Sequence, residues 1–217
     1  MRTTIIFDMD GLMVDTEPLA RRAWEQVLAE HGRTVSDDLY LRMIGHRTLD
    51  SARMVLAEHP IPYTPEALAA RKTAQFAAIR AQGVPVMPGL RELQAEIALR
   101  GLRWGVATSS PRAQAEEILA QIGLLADCQA IAAGDEVAQG KPAPDIYLLA
   151  AGRLGASPGA CLALEDSAPG CRSAVAAGMA VVAVPNIYTR HADFHFVAAV
   201  FPSLREVARQ LDTLLSV

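Results

Sequence analysis

The sequence lacks the features that mark membrane, secreted and nucleic-acid-binding proteins. No apolar run approaches the ~20 residues of a membrane-spanning helix, and the N-terminus leads into a strand-like run without a signal-peptide pattern. No cluster of lysine and arginine occurs, and the formal net charge is −4, so no nucleic-acid partner is expected. The chain is also poor in cysteine, and the few present lack CxxC spacing: Cys128, Cys161 and Cys171. Free buried thiols are typical of a reducing compartment, and we expect a cytoplasmic protein.

Apolar residues are plentiful, and their spacing predicts the fold. They make up 51% of the 217 residues, which is enough for a substantial core. Short apolar runs alternate with segments of helical periodicity, as is typical of a parallel sheet covered on both faces. The predicted strands are 3–7, 104–107, 130–133, 161–164 and 181–184, with helices at 89–99, 111–122, 144–154, 168–177 and 203–214. The predicted fold class is therefore α/β, a doubly wound, Rossmann-like parallel sheet.

The segment between the first two predicted strands differs, because it contains no convincing strand. A helix begins near Thr16, the candidate N-cap residue, and ends at Gly32. Three more helices are predicted over 37–44, 47–58 and 65–81. We therefore expect an all-helical cap domain, residues 15–85, inserted into a core of residues 1–14 and 86–217. Nothing in the sequence indicates an oligomer, and a monomer is expected.

Polar residues follow four of the predicted strands. In an open parallel sheet, ligands bind beyond the carboxyl ends of the strands, so these residues should meet at one edge. They are Asp8, Asp10 and Gly11 after the first strand, Thr108, Ser109 and Ser110 after the second, Gly134, Asp135, Glu136 and Lys141 after the third, and Glu165, Asp166 and Ser167 after the fourth.

Such a combination of carboxylates, one ammonium and several hydroxyls suits a metal ion and a phosphoryl group. Neighbouring carboxylates cannot all stay ionised without a compensating cation, and all-oxygen ligation suits Mg²⁺. An ammonium, a hydroxyl and backbone amides at the start of a helix suit a phosphate. Asp8 could also act as a nucleophile, which would allow a route through an aspartyl phosphate.

Taken singly, each feature has an ordinary structural explanation. The pattern DxDG also occurs in calcium loops and turns, a Thr-Ser-Ser segment is most often a helix cap, and Lys141 alone is a solvated loop lysine. Glu165 and Asp166 alone would form a turn. Four such features after four separate strands rarely coincide by accident, and the hypothesis rests on their conjunction. His191 and His195 have the i, i+4 spacing of zinc ligands on a helix, but no partner residue is near, so a surface pair is expected.

Together, the four segments resemble the signature motifs of the haloacid dehalogenase superfamily, in its phosphatase and phosphomutase branch. The segments are FDMDG at 7–11, GVATSS at 105–110, GKPAPDIY at 140–147 and LALEDSAPG at 162–170. The resemblance extends over essentially the whole chain and includes the helical cap after the first strand. It implies a Mg²⁺-dependent enzyme that acts on a small phosphorylated metabolite through an aspartyl phosphate.

Motif by motif, the resemblance also implies a role for each residue. Asp8 is the nucleophile, and Asp10 is the general acid and base. The phosphoryl oxygens are bound by Thr108, Ser109 and Lys141, and the metal by Asp8, Asp10, Asp166 and, directly or through a water, Glu165. The cap closes over the cleft and selects the substrate. The candidates for that selection are His46, Arg47 and Lys72, although each could instead belong to a solvated cap surface.

Departures from the motifs weigh against the nearest alternatives. The dehalogenases that name the superfamily lack the second aspartate, which is present here as Asp10. β-Phosphoglucomutases share every core motif, but Ala20 and Thr48 stand where their cap histidine and cap arginine are expected. A receiver-like signalling domain would carry its phospho-acceptor at the end of the third strand, where this sequence has Gly134. We favour a phosphatase for a sugar or nucleoside phosphate, with the mutase as the alternative and the receiver as a distant one.

Overall fold

The computed structural model, which describes residues 2–216, contains a six-stranded parallel sheet with helices on both faces. The strands are β1 (Thr4–Phe7), β2 (Arg103–Thr108), β3 (Ile131–Ala133), β4 (Cys161–Glu165), β5 (Ala180–Ala183) and β6 (Ala199–Val200). Their order in the sheet is β3-β2-β1-β4-β5-β6, and every pairing is parallel. This is the strand order of a doubly wound fold, and it confirms the predicted fold class.

The helices fall into a group inserted after β1 and a group that packs on the sheet. The inserted group comprises α1 (Glu17–Ala29), α2 (Asp37–Met43), α3 (Thr48–Glu58) and α4 (Pro65–Arg80). The second group comprises α5 (Leu90–Leu99), α6 (Arg112–Gln121), α7 (Asp145–Arg153), α8 (Ala168–Ala176), α9 (Leu204–Arg209) and α10 (Leu211–Ser216). None of the helices that the structure describes is both long and apolar enough to cross a membrane.

Alternation along β1 shows how the sheet is buried on both sides. Ile5 and Phe7 pack in a fully buried cluster with side chains of α5, α6, α9 and α10. Ile6 points to the opposite face and packs with side chains of α7 and α8. Because successive side chains of a strand point to opposite faces, Asp8 falls on the same face as Ile6. The first carboxylate after the strand is thereby directed towards α7 and the loop before it.

The inserted helices have an apolar core of their own. Helix α4 packs against α1 and α3, and α2 packs against α3. The buried residues of this cluster recur at helical spacing in α1, where Trp24, Val27 and Leu28 lie on one face. The cluster is completed by Val35, Leu39, Tyr40, Met43, Ile44, Ala52, Val55 and Leu68. We propose that these helices form the cap, with its boundaries where the chain leaves and rejoins the core.

The two connections between cap and core run side by side. The Asp15 amide donates a hydrogen bond of 2.8 Å to the Pro85 carbonyl, and Val14 pairs with Val86 as an antiparallel bridge. Movement of the four inserted helices relative to the sheet would therefore be centred on this short paired segment.

Some local predictions were confirmed and others were wrong. Thr16 is the N-cap residue of α1, as predicted, but its hydroxyl makes no capping bond and instead donates to Asp10. The last predicted helix, 203–214, is divided between α9 and α10, and the two-residue strand β6 was not predicted because it is too short to show a pattern. The expectation of a surface histidine pair is confirmed, since His191 and His195 are exposed in a turn and His195 pairs with Asp193.

Candidate active site

The carboxylates of the first and fourth motifs meet at the edge of the sheet where the winding direction changes. Asp8 follows β1, and Glu165 ends the neighbouring strand β4. Ligands of doubly wound folds bind in the crevice at such a switch point. Asp8, Glu165 and Asp166 are all buried, and one carboxylate oxygen of each lies within 4.8 Å of the others. The predicted cluster of carboxylates is therefore present.

Lys141 is the ammonium of this cluster. Its Nζ lies 2.5 Å from Asp8 Oδ1 and 2.6 Å from Glu165 Oε1, and it also donates to the Ala107 carbonyl at 3.1 Å. Burial by itself would lower the pKa of Lys141, but the Asp8 and Glu165 carboxylates raise it above its usual value. Burial raises the pKa of Asp8 well above its ordinary range, and the Lys141 ammonium only partly offsets this. One fixed cation thus faces three buried carboxylates.

Both oxygens of Glu165 are occupied by hydrogen bonds. Oε1 accepts from Lys141 and from the Tyr147 hydroxyl at 3.0 Å. Oε2 accepts from the Asp166 amide at 3.0 Å, and from the Ser167 amide and hydroxyl at 3.1 and 3.0 Å. A carboxylate with five donors has little capacity left for a metal ion. Glu165 therefore positions Lys141 and the loop after β4.

Asp8 and Asp166 each keep an oxygen that accepts no hydrogen bond from the described residues. The free oxygens are Asp8 Oδ2 and Asp166 Oδ1; Asp166 Oδ2 accepts from Asn186 Nδ2 at 2.8 Å. Burial raises the pKa of Asp166 well above its ordinary range, and the charges of Glu165 and Asp8 raise it further. Gly11 has φ +84°, and a Cβ there would lie 2.6 Å from Asp166 Oδ2, so a residue with a side chain would crowd this carboxylate.

These open, hard oxygen donors fit a small divalent cation such as Mg²⁺. Two buried carboxylates with free oxygens are the ligand type that Mg²⁺ prefers, and its charge would offset the excess of negative charge beside Lys141. The donor set contains no sulfur or imidazole ligand among the clustered residues, which disfavours a softer metal.

Asp10 is held by three hydroxyl groups rather than by a cation. Its Oδ1 accepts from Thr16 at 2.7 Å, and its Oδ2 accepts from Thr108 at 3.2 Å and from Ser110 at 2.9 Å. Ser110 accepts in turn from Gln114 Nε2 at 2.7 Å. Because Thr16 lies at the start of the cap and the other donors belong to the core, the carboxylate of Asp10 is oriented from both sides of the cleft.

The two predicted phosphate-binding residues of β2 have different surroundings. Thr108 is fully buried, and its hydroxyl is directed to Asp10. Ser109 lines the cleft between core and cap, and its hydroxyl donates to the Gly45 carbonyl of the cap at 3.0 Å. The structure therefore brings Ser109 to the open space, while Thr108 supports the neighbouring carboxylate.

The cap contributes a buried glutamate to the cleft wall. Glu17, the first residue of α1, is only 8% exposed, and Tyr40 Oη lies 2.6 Å from its Oε2 and 2.7 Å from its carbonyl oxygen. Burial raises the pKa of Glu17 to about 7, although the Tyr40 hydroxyl lowers it. Glu17 therefore lies in the first turn of α1, where a negative charge suits the helix N-terminus, and it is also buried.

Of the three predicted selectivity residues, Lys72 and His46 line the cleft and Arg47 does not. Lys72 is 8% exposed, and its Nζ donates to no carboxylate in the described part of the chain but lies 4.5 Å from the centre of the Phe76 ring. Burial lowers the pKa of Lys72 to about 8. Burial also lowers the pKa of His46. Arg47 instead contacts Asp50 at 2.9 Å.

Arg47 joins the cap to the core outside the cleft. Its Nη1 donates to the Val137 and Ala138 carbonyls at 3.4 and 3.3 Å. Gly140 lies directly beside the arginine side chain, since a Cβ on that glycine would be 2.7 Å from Arg47 Nε. Arg47 therefore stabilises the closed position of the cap next to the loop that carries Lys141.

Replacement of Lys72 by methionine is expected to stabilise the protein at neutral pH. A folded-state pKa of about 8 instead of 10.5 corresponds to about 3 kcal/mol of destabilisation when the group is charged. The depressed pKa means that the unfolded chain holds this proton more tightly, so the wild-type free energy of unfolding rises as pH increases from about 8 to 10.5. We expect Lys72→Met to raise the free energy of unfolding by about 1–2 kcal/mol at pH 7. The gain is less than about 3 kcal/mol because Glu17 loses a nearby cation.

Urea unfolding at pH 7 and pH 10 measures this effect. The increase in the free energy of unfolding should be smaller at pH 10 than at pH 7. The control Arg33→Met removes an exposed cap cation and should alter the free energy of unfolding little at either pH. A Lys72→Met protein less stable than the wild type at pH 7 would contradict the expectation.

Several site residues were missed by sequence reasoning. Asn186 follows β5 closely, so the rule applied to the other strand ends could have found it. Gln114 is a polar position in the first turn of α6 that resembles an ordinary helix residue, although Ser110, to which it donates, lies in the segment named after the second strand. Tyr40 sits in a cap helix among core residues, and nothing in its spacing distinguishes it from a packing residue.

Comparison with known proteins agrees with this geometry. A family model described as haloacid dehalogenase-like hydrolase matches residues 3–178. The chain is 38% identical to protein CbbY of Rhodobacter capsulatus over 95% of both chains. It is 36% identical to the fructose-1-phosphate phosphatase YqaB of Escherichia coli K12, over 83% of this chain and 95% of YqaB. A mutant CbbY from Rhodobacter sphaeroides, crystallised with xylulose-1,5-bisphosphate, has 32% identity and a TM-score of 0.88, over 95% of this chain and 96% of that one.

Proposed function

The chain belongs to the haloacid dehalogenase-like hydrolases and is a phosphoric monoester hydrolase, and from this premise we propose that it is a Mg²⁺-dependent phosphatase of a small sugar or nucleoside phosphate. The reaction proceeds through an aspartyl phosphate on Asp8. The observation that carries this proposal is the state of the Asp8 carboxylate, which has one oxygen held by Lys141 and the other free at the cleft.

The free oxygen of Asp8 is suited to nucleophilic attack on phosphorus. In the first step, a bond forms between Asp8 Oδ2 and phosphorus, and the bond from phosphorus to the leaving alcohol breaks. Asp10, held by its three hydroxyl donors, gives a proton to the departing oxygen. In the second step Asp10 removes a proton from water, which attacks phosphorus and releases inorganic phosphate and the Asp8 carboxylate.

The other residues hold the phosphoryl group and exclude water. Lys141 lies beside Asp8 and offers its ammonium to a phosphoryl oxygen, while Ser109 offers its backbone amide at the cleft. Asp8, Asp166 and the Asp10 backbone carbonyl would hold Mg²⁺, which when bound supplies positive charge to the phosphoryl oxygens. Contacts from Gly45 and Arg47 of the cap to the core keep bulk water out of the closed cleft.

The substrate class follows from the relatives and from the cap. YqaB is named for fructose 1-phosphate, and a structural neighbour was crystallised with a sugar bisphosphate. The polar cleft residues Glu17, Lys72 and His46 suit a leaving group with several hydroxyls. Ala20 lines the cleft where a mutase is expected to have its histidine, and this favours hydrolysis over phosphoryl transfer to a second sugar hydroxyl.

A substrate panel tests the proposed function. Phosphate release should be observed from at least one hexose, pentose or nucleoside monophosphate when Mg²⁺ is present, and EDTA should abolish it. Absence of release over the whole panel would contradict the phosphatase. Conversion of β-glucose 1-phosphate to glucose 6-phosphate faster than its hydrolysis would favour the mutase instead.

A further inference from the structure

Glu17 presents an unused hydrogen-bond acceptor to the space above Asp8 and Asp10. Tyr40 donates to Glu17 Oε2, whereas Oε1 accepts no hydrogen bond from the residues that the structure describes and is open to the cleft. Glu17 lines the same cleft as Asp8 and Asp10. Glu17 is more than nine-tenths buried, and the carboxylate of a residue buried to this extent is poorly solvated unless a hydrogen-bond donor faces it. A substrate hydroxyl above the scissile bond would supply that donor.

The cap wall, meaning the cap residues that line the cleft, contains one lysine or arginine among the described residues, Lys72. Lys72 lies on α4 between the rings of Trp24, at 5.9 Å, and Phe76, at 4.5 Å, and its ammonium opens into the cleft. The charges of Asp10 and Glu17 both raise the pKa of Lys72 and so partly offset the effect of burial. The charge of Lys72 is therefore already balanced by carboxylates of the site.

Two arginines of the cap could bind a further anion, but both lie outside the lining of the cleft. Arg47 contacts Asp50 and the carbonyls of the core loop. Arg80, at the end of α4, is 4% exposed; its Nη2 donates to Glu117 of the core helix α6, and its Nε and Nη1 have no hydrogen-bond partner among the described residues. Neither arginine lines the cleft. His46 does line it, but the imidazole is a weak anion partner because burial lowers its pKa.

A second anionic group on the substrate would therefore meet a wall without net positive charge. A buried charge is stable only when it is paired, and a second phosphate brings about two negative charges towards Glu17. The hydroxyls of a polyol can instead donate to Glu17 Oε1 and accept from Lys72, which satisfies both buried groups.

We infer that the cap wall selects phosphate monoesters of uncharged polyols over esters that carry a second phosphate or a carboxylate, and that Glu17 is the residue that determines this preference. The inference rests on the proposed phosphatase function and specifies its leaving group. Glu17 is a specificity residue in this scheme, with Tyr40 as the positioning residue that fixes its carboxylate.

Matched pairs of substrates test the inference. Phosphate release is measured for fructose 1-phosphate against fructose 1,6-bisphosphate, glucose 1-phosphate against glucose 1,6-bisphosphate, and ribulose 5-phosphate against ribulose 1,5-bisphosphate. In pairs that are hydrolysed, we expect kcat/KM of the monophosphate to exceed that of the bisphosphate by about 100-fold. Equal or faster hydrolysis of the bisphosphate would overturn the inference while leaving the phosphatase proposal intact. No release from any compound would overturn both.

Variants of Glu17 separate selectivity from folding. Glu17→Gln should lower kcat/KM for the monophosphate about 10-fold and reduce its advantage over the bisphosphate about 10-fold, since the repelling charge is gone. Glu17→Asp keeps the charge, so its preference should remain near that of the wild type even if its rate falls. The matched control is Glu66→Gln, an exposed glutamate in the first turn of α4, and neither rate nor preference should change. A Glu17→Gln enzyme with unchanged preference would overturn the assignment.

Discussion

Asp8→Asn is expected to lower kcat by roughly 10,000-fold or more, because an amide cannot form the aspartyl phosphate. The substitution is nearly isosteric, and Lys141 keeps its contact with Glu165. Burial raises the pKa of Asp8, which shows that the buried negative charge is unfavourable in the folded protein, so its removal should leave the protein folded and at least as stable. Loss of activity without loss of stability is the expected combination.

Two measurements check this prediction together. Steady-state phosphate release gives kcat, and acid quenching during turnover of a ³²P-labelled substrate shows whether label becomes attached to the protein. The wild type should carry label and the variant should not. The control is Asp127→Asn, an exposed aspartate of the core that makes no ion pair in the described structure, and it should behave as the wild type. An Asp8→Asn enzyme with more than about 1% of wild-type kcat would contradict the assigned nucleophile.

Lys141→Met is expected to reduce both activity and stability. The ammonium lies between Asp8 and Glu165, and its removal leaves buried carboxylates without a fixed cation. Breaking a buried ion pair by removing one partner destabilises a protein by about 3–5 kcal/mol. Activity should fall about 1,000-fold, because the phosphoryl group loses a charge that stabilises its transition state.

The pH dependence distinguishes this electrostatic effect from a packing effect. Lys141 lowers the pKa of Asp8, so without it the pKa of Asp8 rises further, and the folded state then binds more protons than the unfolded state in the range above the ordinary carboxyl pKa. The free energy of unfolding of the variant should therefore decrease as pH rises from about 5 to 8, and its deficit should be smallest in acid. Urea unfolding across this range measures the deficit, and millimolar Mg²⁺ at pH 7.5 should restore part of it. A deficit that does not vary with pH would indicate lost packing instead.

The core half of the site could be predicted because strand ends are visible in a sequence. An apolar run that stops at Asp8 or Glu165 fixes which edge of the sheet the carboxylate occupies, and parallel strands bring these edges together. Orientation could not be predicted in the same way. Whether the Thr108 hydroxyl faces a phosphate or Asp10 depends on side-chain rotation within the closed fold. The residue types were evident, but their partners were not.

The cap half could be predicted only in part, because it is defined by contacts between two separately folded segments. Glu17 has the sequence signature of a charge at a helix N-terminus, yet it is buried in the fold, with the Tyr40 hydroxyl of α2 on its carboxylate. Arg47 and Lys72 were equally plausible cleft residues, yet Arg47 contacts the core loop and Lys72 lines the cleft. Such outcomes depend on the angle between cap and sheet, for which the periodicity of a single helix carries no information.

The distribution of lysine has a practical consequence for spectroscopy. Lysine occurs twice in the chain, as Lys72 in the cap and Lys141 in the core, and both side chains belong to the active-site region. Biosynthetic incorporation of ¹³C-labelled lysine would place isotopic labels at these two side chains, with no background from lysines elsewhere. The Lys72 resonance would then report on the cap and the Lys141 resonance on the core. Movement of the cap and binding of phosphate beside Asp8 could be followed separately in a single spectrum.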